Sequence, residues 1–134
     1  MESIKAEYVS HFGSDFFPKA FIALPCGASY LQLIIDDTGT PIDYITLDVN
    51  PAFLQLLETS KDKVIARRAS EQLSTTELRY WLDIFSPVAL GEGITRTTMY
   101  AHSKIRKFNV TAISPRKGFF CLFFSEVTPT RRNA

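Results

Sequence analysis

Residues 29–53, SYLQLIIDDTGTPIDYITLDVNPAF, leave the chain few conformational choices. Apolar side chains alternate at Leu31, Leu33 and Ile35, stop at Asp36-Asp37-Thr38-Gly39, and alternate again at Ile45, Leu47 and Val49. Period-two alternation on both sides of an Asp/Gly turn is the pattern of a β-hairpin. A helix start follows at once. The Asn50 side chain can accept from a free N–H of a helical first turn, and Pro51 suits a first helical position, where no N–H is needed. Strand, turn, strand and an immediate helix make an α+β unit.

After that hairpin, residues 51–58 predict a short helix burying Phe53, Leu54 and Leu57. Short helical pieces follow, around Val64 and Ile65 and at residues 70–73. Ser74-Thr75-Thr76-Glu77 has the capping-box pattern, in which the hydroxyl and the carboxylate each satisfy a free N–H. Leu78, Trp81, Leu82, Phe85 and Ala89 then recur at three- and four-residue spacing, which predicts a longer helix ended by Gly91 and Gly93. Pro87 lies within it and predicts a kink, since a missing N–H frees the carbonyl of Asp83.

The remainder reads as strands at 94–101, 106–114 and 119–124, with turns at 102–104 and 115–118. In the last strand Phe119, Cys121 and Phe123 occupy one face and Phe120, Leu122 and Phe124 the other, as expected of a central strand buried on both sides. Helices on one face alone would leave Phe120, Leu122 and Phe124 uncovered, and a contiguous exposed apolar patch marks a contact site. The expected cover is the N-terminal segment and a second subunit. Ile4, Tyr8 and Phe12 share one face of a short helix over residues 2–12, so they join Phe120, Leu122 and Phe124 as the expected homodimer contact. Residues 13–28, with Phe16, Phe17, Phe21 and Ile22 among prolines and Gly27, read as an irregular linker.

The 134 residues suit one domain, with 46% hydrophobic and 22% charged residues. A net charge of +1 gives no reason to expect nucleic acid or an anionic membrane as partner. The two cysteines, Cys26 and Cys121, lack metal or redox spacing and fit a reducing compartment. The apolar run over 16–35 is broken by Pro18, Lys19, Pro25 and Gly27, short of the roughly 20 residues of a membrane span. No leader pattern is evident, so a cytoplasmic location with no direct membrane contact is expected.

Asn50-Pro51-Ala52-Phe53 after the hairpin, Tyr80-Trp81-Leu82-Asp83-Ile84-Phe85 in the long helix, and the closing Ser125-Glu126-Val127-Thr128 resemble the PAS family of sensory modules. The likeness is to those of bacterial sensor kinases, as in two-component systems, and of diguanylate cyclases. The resemblance implies a five-stranded antiparallel sheet in the order 2-1-5-4-3, short helices and one longer helix on one face, and a domain over 29–128. Residues 1–28 would then be an N-terminal helical or irregular dimer-contact segment, and 129–134 a linker. It implies a ligand pocket between sheet and long helix, lined by Trp81, Phe85, Phe108 and Phe123. It also implies a signal exit at Glu126, Val127 and Thr128, where Glu126 stands in place of the family's usual Asp.

The resemblance further implies a module without catalysis of its own, relaying a change to an output domain of a longer parent protein. Haem would need an axial His on or near the long helix, and the histidines are His11 and His102, so haem is not expected. Covalent flavin would need a Cys after the short helices, where residues 64–70 have none. A non-covalent small ligand, or a packed core in a ligand-free homodimerisation module, remain as alternatives. A third reading takes Asp37-Thr38-Gly39 as the loop of a dimeric aspartic-type hydrolase, with Asp37 as the acid. A three-residue match at a hairpin is more often a turn.

Overall fold

The computed structural model describes residues 16–91, 93–101 and 106–128. The helix expected over 2–12, both histidines, the 102–104 turn and the 129–134 linker lie outside the described residues. Helix α1 (Phe16–Ala23) precedes strands β1 (Gly27–Ile35) and β2 (Pro41–Val49). Short helices α2 (Pro51–Leu56) and α3 (Lys61–Val64), a single 3-10 turn (Ala69–Glu71) and the long α4 (Thr75–Ala89) follow. Strands β3 (Thr95–Ala101), β4 (Arg106–Arg116) and β5 (Phe119–Glu126) complete the chain. The linker, expected to be irregular with a helical turn, carries an eight-residue helix, and β1 begins at Gly27.

All four strand pairings are antiparallel, in the expected order β2-β1-β5-β4-β3. The hairpin turn is held by Asp36, whose Oδ1 accepts from the Thr38 and Thr40 N–H groups and the Thr38 hydroxyl. Those bonds keep the Asp36 carboxyl below the ordinary range, the Thr38 hydroxyl foremost. Asp37 is an exposed turn residue beside it.

A bulge corrects the simple alternation of β2. Tyr30 faces Asp48 while Leu31 faces Thr46, so Leu47 is an extra residue that shifts the phase of the strand. Val49 stays on the inner face opposite Ser29, but Tyr44 and Thr46 replace Ile45 and Leu47 there, opposite Leu33 and Leu31.

The faces of β5 are likewise settled by packing. Phe120, Leu122 and Phe124 are buried in the core beneath α4 and α2, where Phe120 stacks on Phe85 and Phe124 meets the edge of Phe53. They are covered within their own chain, which removes the reason to expect a second subunit over them. The one-sided sheet does have a cover for them: the helices lie on their side. Phe119, Cys121 and Phe123 form the outer, half-buried face.

Helix α4 has the expected capping box, with the Ser74 N–H bonded to Glu77 Oε1 and the Ser74 hydroxyl accepting from the Glu77 N–H. It runs unbroken through Pro87 to Ala89, burying Leu82, Phe85, Val88 and Ala89. Its Ala89 carbonyl accepts from the N–H of Gly118, whose own carbonyl accepts from Leu33, so the β4–β5 turn is pinned between α4 and β1. Gly118 has φ of +92°, a conformation side chains disfavour.

Asn50 joins these parts. It is fully buried, and its Oδ1 accepts from the N–H groups of Ala28 and Phe53 at 2.8 and 2.9 Å. Its Nδ2 donates to the carbonyls of Phe21 and Cys26 at 3.1 and 3.0 Å. One side chain thus caps α2 and ties it to β1 and to α1. Gly27 lets α2 lie close, since a Cβ there would sit 3.1 Å from the Phe53 Cα. Asn50→Ala should lower the unfolding free energy by roughly 2 to 4 kcal/mol in urea titrations, combining a lost cap with buried groups left unpaired. Gly27→Val should lower it by roughly 1 to 3 kcal/mol through overpacking.

Candidate functional site

A half-open cavity of about 460 Å³ lies between the sheet, the short helices and α4. Its floor is the inner face of the sheet, with Leu31 from β1, Tyr44 and Thr46 from β2, and Leu122 and Phe124 from β5. Phe53, Leu57 and Val64 form one wall, and Trp81 and Phe85 of α4 another. Trp81 lies flat on Phe85 at 5.5 Å between ring centroids, and Phe85 lies on Phe120 at 5.6 Å. Trp81 and Phe85 thus line this cavity.

Phe108 and Phe123 do not line it. Phe108 is completely buried in the core, with the Arg106 guanidinium over its ring at 5.1 Å. Phe123 alternates onto the outer face of β5, a consequence of the two-residue period that places Leu122 and Phe124 inward. Neither cysteine borders the cavity. The Cys121 thiol is pushed up to about 11 by burial, which makes it a weak nucleophile.

Polar groups enter the cavity wall from residues that alternation had placed elsewhere. Tyr44 packs edge-on against Phe85 and Phe120, and its hydroxyl finds no hydrogen-bond partner among the described residues. Burial pushes its phenol up to about 12, with the neighbouring Asp43 carboxylate acting in the same direction. Asp43 itself is buried against the 3-10 turn, accepting from the Ser70 N–H and hydroxyl. Lys63, Arg67 and Gln72 complete the rim on and after α3. Only the bulge, invisible in the hydrophobic pattern, brings Tyr44 and Thr46 to this side.

Helix α3 is flanked by two non-glycine residues with positive φ, Glu58 at 52° and Ala66 at 62°. Each such residue costs roughly 1 to 2 kcal/mol against its ordinary conformation. Ala66 is held there by its N–H to the Thr46 carbonyl at 2.8 Å. Glu58 lies between the cavity residues Leu57 and Thr59 and pairs with Arg106 Nη1 at 2.9 Å.

Arg106 then grips the end of β5. Its Nε and Nη2 donate to the two carboxylate oxygens of Glu126, each at 2.8 Å. That fork holds the Glu126 carboxyl below its ordinary range. Val127 N–H donates to the Lys107 carbonyl at 2.8 Å. Both carboxylate oxygens of Glu126 are thus bonded, and a chain of contacts runs from Leu57 through Glu58 and Arg106 to Glu126.

No protein-family model matches the sequence, and no curated protein matches it. Solved structures resemble the fold. A domain of an HTR-like protein from Haloarcula marismortui aligns with a TM-score of 0.55 and 19% identity, over 78% of this chain and 100% of that one. A PAS domain of an HTR-like protein from the same organism aligns at 0.51 and 14%, over 94% and 97%. The LOV protein of Rhodobacter sphaeroides aligns at 0.60 and 11%, over 84% of this chain and 65% of that protein. The chain has the PAS fold.

The buried phenol carries a pH dependence. Its pKa is about 12 in the folded chain against about 10 when unfolded, so the folded state holds more protons between those values. Stability must therefore fall as pH rises through that window. Urea midpoints should decline between pH 10 and 12. Tyr44→Phe should make that decline shallower.

Proposed function

We propose that the chain is a PAS-type sensory module that holds a small ligand or partner group between the sheet and α4. It relays the resulting change through β5 to an output domain, such as a kinase or a diguanylate cyclase, in a longer parent protein. The observation that carries this reading is that the cavity and the exit share structure. Leu122 and Phe124 are cavity floor, and Glu126 of the same strand is clamped by Arg106, which also holds Glu58 beside the cavity. A volume of about 460 Å³ falls within the range of small-molecule sites.

In mechanism, a ligand shifts the balance between two packings only by binding them with different affinity. Occupation beneath Trp81 and Phe85 moves α4 and the Leu57 turn relative to the floor. Glu58 then loosens or tightens on Arg106, which alters its fork on Glu126 and the path of Val127 and Thr128. The module itself catalyses nothing in this scheme. Asp37 is an exposed turn residue, and the bonds that hold the turn are taken by Asp36. We assign the sensory unit, expected over 29–128, to 27–128 because β1 begins at Gly27, in a cytoplasmic protein with 129–134 as linker to the output domain.

A second reading, a homodimerisation module, has its own support. Phe119, Cys121 and Phe123 make a half-buried apolar stripe on the outer face, with Tyr30 stacked on Phe119 at 5.7 Å. In that reading these residues, with Ile4, Tyr8 and Phe12, take the place of Phe120, Leu122 and Phe124 at the contact.

Native mass spectrometry of the purified chain, with a visible absorbance spectrum, tests both. A fixed extra mass on each chain that is lost in a Leu122→Trp variant, with folding verified by circular dichroism, is the sensory outcome. Unliganded dimers broken by Phe123→Lys are the outcome for the dimerisation module. Unliganded monomers contradict both.

A further inference from the structure

Resting on the reading that the cavity holds a ligand, we propose that this ligand is a small amphipathic carboxylate. Its apolar body lies beneath Trp81 and Phe85, and its carboxylate sits at Lys63 and Arg67. The wall divides by chemistry. Leu31, Phe53, Phe85, Leu122 and Phe124 make its interior apolar, whereas the α3 side contributes Lys63, Arg67 and Gln72. No Asp or Glu lines the cavity. Across the whole chain 15 Lys and Arg nearly balance 14 Asp and Glu, so two cations with no anion is a local bias.

Acidic groups do stand near these cations, outside the cavity. Glu71 lies 3.7 Å from Arg67, a loose and half-exposed pair. Asp62 is exposed and accepts from the Ser60 hydroxyl, with Lys63 and Arg67 among the charges that hold its carboxyl below the ordinary range. Arg67 Nη2 also donates to the Asp62 carbonyl at 3.3 Å. These contacts are long and exposed, so they contribute little, and a ligand carboxylate at the rim competes with them for the guanidinium. The Gln72 amide donates to the Lys63 carbonyl and holds this part of the rim in place.

Placement of the charge follows from desolvation. An ionised group buried among Leu31, Phe85 and Leu122 would lose its hydration and meet only the neutral hydroxyls of Tyr44 and Thr46, while at the rim it keeps water and gains a charge-assisted bond. A cation has no counter-charge in this wall. An uncharged apolar molecule would leave Lys63 and Arg67 with nothing to add.

Isothermal titration calorimetry of the full chain with octanoate and phenylbutyrate, each against its primary amide, tests the inference. At least one acid should bind one per chain, roughly tenfold more tightly than its amide. Lys63→Met with Arg67→Met, both exposed positions, should lower the affinity for that acid to that of the amide. Lys117→Met, on the remote β4–β5 turn, should keep the preference. Equal affinity of acid and amide would overturn the inference and leave a ligand-binding module standing. Absence of saturable binding by all four compounds would also overturn it, and the ligand reading would then be decided by the mass of the purified chain.

Discussion

Asn50 is the constraint on which the rest of this structure depends. Four hydrogen bonds from one buried amide join α1, the start of β1 and the first turn of α2. Such a side chain has to be Asn. An acid of the same shape would set a second oxygen against the Phe21 and Cys26 carbonyls, and Ser or Thr would reach only the cap. Because α2 is fixed at this point, Leu57 and the α3 segment are launched over the inner face of the sheet instead of away from it. The cavity lies between α2, held at this end, and α4 with its stacked aromatics at the other.

The remaining order follows from which contacts are rigid and which are not. The β4–β5 turn is locked by the paired bonds of Gly118 to Ala89 and Leu33, and Asp43 anchors the 3-10 turn through Ser70. Between those anchors, α3 is one turn long, contributes no buried residue, and is flanked by the strained backbones of Glu58 and Ala66. The Arg106 clamp ties the Glu58 end of that segment to the end of β5, which is the route the proposed relay would take.

Much of this was legible in the sequence because single residues have single explanations. Asn50-Pro51, the Ser74/Glu77 box, the Asp36 turn and the Trp81 stripe each have one economical reading, and the strand order came with the family resemblance that they carry. Side-chain direction was less legible. The Leu47 bulge reverses the phase of β2, so Tyr44 and Thr46 turn inward. In β5 both faces are apolar, and alternation alone could not say that Phe124 rather than Phe123 meets Phe53. The rim cations were hidden for a different reason: Lys63 and Arg67 look like an ordinary solvated helix end until α3 is laid across the sheet. Helix α1 was obscured by prolines, one of which, Pro18, falls in a first turn that tolerates it.

The central claim is that the space beneath Trp81 communicates with the exit of β5. Trp81 is the chain's one tryptophan, so its indole N–H gives a single NMR resonance that can be followed beside the Val127 amide during a titration with phenylbutyrate. The account predicts that both resonances shift together with one midpoint, the Arg106 Nε–H moving with them. A shift at Trp81 with Val127 and Arg106 unmoved would contradict it, leaving a cavity that binds but does not signal.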